Sequence, residues 1–376
     1  KPDSPAWLCL NCHIPVQNQR RTVVLGLEGG NVLKPITRPN PQFDPRMRLE
    51  GITCASCHVR MDPVTGTSYV IGPNGSRLAP HPVRQDRAYL HGICNRCHNP
   101  QGEGITPNLV CWFTTRSEWE AAGEVLKARY GEVRDCVSCH MPARPGRLAQ
   151  GYPNLPIRNL NHHYWIGGGV PKWYSDYDSL LARGFRPGLT IQVLAVAPVP
   201  HDSLAVRLRL ANDRAGHWIP TADPERFYLI QVRLEQADGT VLQELRYRIG
   251  QTWRWNPARK VADNRLRAGE VRIYQARLPL EGATARTRLV VQAYHVRLKT
   301  ETAAYLMQHT PAIPDPLWPD LLQQIRQLPR FYPMATCIFR QEFDPATGAL
   351  LKDYPLSELI QISRQEQGKP LEKREY

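Results

Sequence analysis

From about Gly184 onward, apolar and polar residues alternate along the chain. Ile230, Val232 and Leu234 are spaced by Gln231 and Arg233, and Leu245, Tyr247 and Ile249 repeat the period after Asp238-Gly239. A period of two on both sides of a turn dipeptide predicts an antiparallel hairpin. Ile191 to Val196, Leu204 to Leu210, Phe227 to Leu234, Val241 to Ile249, Val271 to Leu278 and Leu289 to Leu298 share that strand character. Six or seven short strands with turn signals predict an all-β, immunoglobulin-like sandwich over residues 186–300. Gly184-Phe-Arg-Pro-Gly188 reads as the linker before it. Residues 1–185 are rich in Pro, Gly and Asn and mostly aperiodic, which predicts a largely irregular and helical segment. One helix stands out there, Ser117 to Tyr130: Ser117 and Glu120 form a capping box, Trp119, Ala122 and Leu126 line one face, and Gly131 stops it. Residues 301–376 form a Pro-rich C-terminal extension with one short helix near Pro319 to Leu328, expected to wrap over a domain.

The aperiodic segment carries the chemistry. Cys9-Leu-Asn-Cys12-His13, Cys54-Ala-Ser-Cys57-His58, Cys94-Asn-Arg-Cys97-His98 and Cys136-Val-Ser-Cys139-His140 are four copies of C-x-x-C-H. Two thiols at this spacing bond the two vinyl groups of a porphyrin, and the next imidazole reaches the iron. A single copy could be a zinc half-site. Four within 140 residues point to four covalent haem c groups, held by the eight cysteines and ligated by His13, His58, His98 and His140. Residues 1–185 then read as a tetrahaem cytochrome c module whose porphyrins serve as its hydrophobic core.

Bulk composition narrows this further. Of ten cysteines, Cys111 and Cys337 fall outside the motifs. Haem c is attached outside the cytoplasm, where disulfides persist. A Cys111–Cys337 bridge and two separate buried thiols are the two alternatives, and the first would tie the tail to the haem region. The polar start Lys1-Pro2-Asp3-Ser4-Pro5 is no signal peptide, so a leader removed upstream is expected, and an anchor lost with it stays open. No apolar run reaches the eighteen or so residues of a membrane span. Each ferric haem brings two propionates and one net iron–porphyrin charge, so four would lower the formal +14 to about +10. A basic surface attracts acidic redox proteins and anionic membranes or glycans. No recognisable nucleic-acid motif accompanies it.

What lies opposite each proximal histidine separates a wire from a catalyst, because a closed haem only exchanges electrons and an open one binds substrate. Eight histidines lie outside the motifs: His81, His91, His162, His163, His201, His217, His295 and His309. His81 is held between prolines in Ala79-Pro80-His81-Pro82. His91 precedes Cys94 by three residues, so it would serve a neighbouring haem rather than its own. Of the adjacent His162 and His163, the following Tyr-Trp-Ile-Gly-Gly favours His163 as ligand and leaves His162 for a propionate. His217 sits in a turn between two predicted strands. The expected distal set is therefore His81, His91, His163 and His217. His295 lies among alternating strand residues and reads as a core or surface histidine, His201 as a turn residue, and His309 is unassigned. Met141, next to His140, points the wrong way to cap its own haem. Histidine on both faces gives lower potentials than His/Met ligation.

With these residues in view, the chain resembles a family of multihaem c-type cytochromes, and is distantly similar to the tetrahaem cytochrome that accepts electrons from hydroxylamine oxidoreductase. The resemblance rests on Trp7 to His13, Glu50 to His58, Ala79 to Val83, Cys136 to Pro142, His163-x-Trp165-x-Gly167 and Ala215-Gly-His through Pro220-Thr221 to Arg226. It implies stacked haems with histidine on both sides, electron transfer as the activity, and ligand roles for His81, His163 and His217. His91 has no such support. If His91 is no ligand, the fourth haem is open or is capped by His162, His309 or another subunit. The leading expectation is an electron-transfer protein, periplasmic or extracellular at the cell surface, with acidic or multihaem redox partners. A subunit of a polymeric extracellular cytochrome filament is the alternative. A multihaem oxidoreductase with one open haem ranks third, and the lysine-ligated motif C-x-x-C-K of multihaem nitrite reductases does not occur.

Overall fold

A computed structural model describes residues 6–74, 79–100, 113–149, 151–163, 167–255, 257–310 and 319–376. The helices are short. They are α1 (Ala6–His13), α2 (Cys54–His58), α3 (Arg87–Gly92), α4 (Asn95–His98), α5 (Thr115–Glu120), α6 (Gly123–Tyr130) and α7 (Cys136–His140). Then come α8 (Tyr177–Ala182), α9 (Thr300–Gln308), α10 (Pro319–Arg326), α11 (Leu328–Phe331) and α12 (Leu356–Arg364). The chain divides into two compact units, Lys1–Thr114 with Asp135–Pro142, and Thr115–Arg134 with Ala143–Tyr376.

In the first unit, β1 (Thr22–Leu27) and β2 (Pro35–Pro39) form an antiparallel pair. Gly29 and Gly30, at φ 56° and 75°, turn the chain between them, a conformation open to glycine at no steric cost. A second sheet has β4 (Ser68–Gly72) in its centre, antiparallel to β3 (Val59–Met61) and parallel to β5 (Val83–Gln85). The burial is unusual. Among the described residues of this unit, Ile71 is the one buried apolar side chain, while Leu25, Ile36, Ile52, Met61 and Val64 are each more than half exposed.

The second unit is packed in the ordinary way. A small pair, β6 (Ala143–Gly146) and β7 (Arg158–Asn161), precedes the main strands. These are β8 (Thr190–Val199), β9 (Ser203–Ala211), β10 (Phe227–Glu235), β11 (Val241–Trp255), β12 (Ala258–Asp263) and β13 (Val271–Pro279), followed by β14 (Arg288–Val296), β15 (Ala335–Phe343) and β16 (Leu350–Asp353). They form a six-stranded sheet, β12-β11-β10-β14-β15-β16, and a three-stranded sheet, β13-β9-β8. Leu204, Val206, Leu208 and Leu210 share one core with Ile230, Val232, Leu234, Leu289, Val291 and Ala293. Burying each of the larger side chains is worth about 1.5–3 kcal/mol. The Phe227, Leu229, Tyr294 and Val296 side chains pack with Leu359 of α12, and Tyr177 and Leu180 of α8 pack with Ile360.

The expectation of a mostly irregular and helical tetrahaem module, followed by a separate immunoglobulin-like sandwich and a Pro-rich tail, is corrected here. The molecule is 33% strand and 27% helix, with several sheets, and strands begin at Thr22. The β-branched runs Thr22-Val-Val and Ser68-Tyr-Val-Ile form short local strands despite the surrounding Pro and Gly. Thr115–Arg134 and Ala143–Ala182 belong to the unit that holds the large sheets, so the first 185 residues are not a module of their own. The tail also does more than wrap, because its β15 pairs with β14 inside the six-stranded sheet and its α10 is one helix among several. The single helix expected over Ser117–Tyr130 is two helices, with Ala122 at φ −92°, ψ 4° between them. The Ala122 N–H turns to the Trp119 carbonyl at 3.0 Å, and Gly123 weakens the middle of the run. The stop at Gly131 is present, at φ 76° with its N–H on the Lys127 carbonyl.

Candidate haem-attachment centre

All four C-x-x-C-H motifs fall in the first unit, the fourth because Asp135–Pro142 returns to it after the excursion through α5 and α6. Each motif is a short helix that ends on its histidine: α1 at His13, α2 at His58, α4 at His98 and α7 at His140. Helical φ/ψ puts the two cysteines three positions apart on one side, with the histidine directly after. The eight thiols are not joined in disulfides.

The motifs converge. The Cys94 thiol is raised above its ordinary value, first by its contact with the Cys136 thiol and then by burial, with Cys57 adding to it. Burial and the neighbouring Cys12 thiol push Cys97 up to about 12. Burial also raises Cys57. The third motif therefore borders the other three. Raised thiols are protonated at neutral pH and are poor spontaneous nucleophiles or thiolate ligands. No group of three or more His, Cys, Asp or Glu side chains that could hold a metal ion is gathered among the described residues. A haem iron needs no such group, since it takes one side chain from each face.

The residues fit haem on two observations. Apolar side chains of this unit lie exposed rather than packed on one another, as expected where flat apolar groups form the core. Beside the first motif, the Arg20 guanidinium donates to Asn11 Oδ1 at 2.6 Å and to the Pro15 carbonyl at 3.1 Å, while its buried Nε has no acceptor. Burial lowers its pKa, and an anionic carboxylate such as a propionate matches it.

Imidazole hydrogen bonds sort the candidate ligands. In a neutral ring whose Nδ1–H donates, Nε2 carries the lone pair that a metal needs. His58 Nδ1 bonds the Ile71 carbonyl at 2.8 Å, so β4 orients the histidine of the second motif. Strand β4 also anchors the His81 loop, through Val70 N–H on the Pro82 carbonyl at 2.9 Å, and His81 itself is exposed. His91, in the last turn of α3, bonds the Asp135 carboxylate. Asp135 is the N-cap of α7 and accepts the Ser138 N–H at 2.8 Å. Burial raises the Asp135 carboxyl, but the Ser138 and His91 hydrogen bonds outweigh it and hold it below its ordinary value.

His163 and His217 lie in the second unit. His163 Nδ1 bonds the Asn161 carbonyl at 3.1 Å. His162 Nδ1 instead faces Arg183 Nη1 at 3.0 Å. Guanidinium can only donate, so Nδ1 accepts and the proton of the neutral ring sits on Nε2, which disfavours iron ligation there. The backbone from Gly168 to Pro171 is gripped by side chains of the large sheet and its edge. His295 Nδ1 bonds the Gly168 carbonyl, Thr336 Oγ1 donates to the Gly169 carbonyl at 2.8 Å, and Arg297 donates to the Pro171 carbonyl at 3.0 Å. Gly168, at φ 71°, has no room for a Cβ, which would stand 2.6 Å from His295 Cε1. Burial lowers the His295 pKa to about 3, and Arg226 nearby adds to that, so the ring is a neutral core group.

His217 lies between β9 and β10 and bonds the Trp218 carbonyl through Nδ1 at 2.9 Å. Its loop is set by buried Asn212, which donates to the His217 carbonyl at 2.7 Å and the Leu266 carbonyl at 3.1 Å. Burial lowers the His217 pKa and keeps the ring neutral. His309 is exposed, stacked on Tyr305 at 4.0 Å. His201 stands in a turn at φ 66°. Cys111 lies outside the described residues, so the Cys111–Cys337 pairing is not addressed by them. Cys337 is buried in β15, and burial pushes its thiol up to about 12. Sequence reasoning missed Asp135, Arg20 and the His295 clamp. An Asp directly before a C-x-x-C-H helix was the readable signal for the first.

No family model matches the chain, and no curated protein does. Among solved structures it is similar to a penta-heme cytochrome c552 from Thermochromatium tepidum, with 17% identity over 89% of this chain and 83% of that one and a TM-score of 0.52. At that identity the likeness is one of fold alone, a fold like that of this multihaem cytochrome. A β-glucuronidase from Bacteroides uniformis matches at 19% identity over 29% of this chain and 11% of its own, with a TM-score of 0.14, and carries no argument. Among the described residues no helix is long and apolar enough to cross a membrane.

Proposed function

We propose that this chain transfers electrons outside the cytoplasm through four covalently attached haem c groups. The observation that carries this reading is the gathering of four C-x-x-C-H helices in one unit that lacks an apolar side-chain core among its described residues. The haems supply the redox chemistry. The protein binds them through the paired cysteines, orients imidazoles by their Nδ1 hydrogen bonds, and keeps porphyrin faces away from water. His81, His91, His163 and His217 are the proposed distal ligands, of which the last three have Nδ1 committed to an acceptor. Periplasmic or cell-surface placement follows from where haem c is attached. The basic charge suits acidic or multihaem redox partners.

Pyridine haemochrome assay and intact mass test the reading, with four haems expected. Electron paramagnetic resonance of the oxidised protein then counts irons, and four low-spin centres are expected. A high-spin iron that binds cyanide would favour an enzyme instead. Ordered polymers under negative stain would turn the carrier into a filament subunit without changing the haem chemistry.

A further inference from the structure

We propose that Asp135 holds and tunes the His91 imidazole as an iron ligand, through one carboxylate shared with the fourth attachment helix. The inference rests on the haem reading above. The two oxygens do different work: Oδ1 accepts the Ser138 N–H and caps α7, while Oδ2 takes His91 Nδ1. The Asp135 backbone carbonyl also accepts Ser138 Oγ at 3.0 Å and the Cys139 N–H at 3.3 Å, so the residue is fixed from both ends. One side chain thus links α3, three residues before Cys94, to the helix that starts at Cys136.

His58, His163 and His217 bond backbone carbonyls, whereas His91 bonds a charged carboxylate. A negative charge on the Nδ1 proton pushes electron density to Nε2, which makes the ring a stronger donor and favours ferric over ferrous iron. The haem that His91 ligates would therefore have a lower potential than the same haem with an uncharged partner on His91 Nδ1.

The test uses the full haem-loaded protein. Asp135→Asn keeps an N-cap of equal quality but removes the charge. We expect an unchanged haem count, four low-spin signals, and one haem whose oxidised-to-reduced ratio shifts at least tenfold towards the reduced form at fixed potential, which is about 59 mV for one electron. Asp135→Thr, a cap without charge, should shift the same haem in the same direction, which guards against a fault peculiar to the amide. His91→Ala should turn one iron high-spin. Unchanged midpoints in both Asp135 variants, or four low-spin irons in His91→Ala, would overturn the proposal. A wild-type protein with fewer than four haems would instead sink the haem reading, and the pyridine haemochrome count separates the two failures.

Discussion

The same turn closes a hairpin in each unit of this molecule. Asp62-Pro-Val-Thr-Gly66 and Asp344-Pro-Ala-Thr-Gly348 fold alike: each aspartate Oδ1 accepts the N–H groups two and three residues on, and each glycine N–H returns to the aspartate carbonyl. Local sequence produced local structure twice. What lies around the two turns is opposite. Val64 is 90% exposed, and the strands beside it bury one apolar side chain, Ile71. Gly348 is pressed so closely on β8 that a Cβ would stand 2.1 Å from the Val196 carbonyl oxygen, and β15 beside it is largely buried. The second unit is held by side-chain packing. The first has strands and caps without a matching apolar core among its described residues, which is what the proposed haem groups on its cysteines would supply.

The largest expected effect follows directly. Protein made without haem attachment should lose all protease protection over Lys1–Thr114 and Asp135–Pro142, while the second unit stays resistant. Limited proteolysis with mass mapping measures this, and equal resistance of both units would erase the contrast. A core truncation probes the other side. Ile230→Ala should cost about 2–5 kcal/mol in chemical denaturation of the second unit, because Ile230 is fully buried between the two sheets, and leave the haem count unchanged.

Acid should also separate the units. His295 has its folded pKa lowered to about 3, below the ordinary 6.5, so the unfolded chain takes up a proton that the folded one refuses. Its contribution is complete above pH 6.5 and is lost as pH falls towards 3, at up to about 1.4 kcal/mol per pH unit. His295→Gln should flatten that slope in denaturation curves taken from pH 6.5 to 4. The smallest effect is expected at Gly131, whose positive φ with open space around it makes Gly131→Ala cost about 1–2 kcal/mol, read as a modest fall in melting temperature.

Much of the second unit was legible. Alternation in Phe227–Leu234 and Leu289–Leu298 marks strands that form at Phe227–Glu235 and Arg288–Val296. The helix expected at Ser117–Tyr130 begins two residues earlier and breaks at Ala122, whose N–H turns to the Trp119 carbonyl at 3.0 Å, a local tightening that the capping-box pattern does not announce. The small strands of the first unit escaped notice because their β-branched runs are brief and set among turn residues.

Sequence alone carries the proposed attachment chemistry, since C-x-x-C-H needs only five consecutive residues and a helical turn to present two thiols and an imidazole together. Tertiary structure decided which histidines are prepared to face a metal. The ring nitrogen that carries the proton is chosen by an acceptor placed by folding: Asp135 lies 44 residues from His91, and Gly168 lies 127 residues from His295. No periodicity records such a pairing, because a hydrogen bond across the fold depends on where two distant backbones meet.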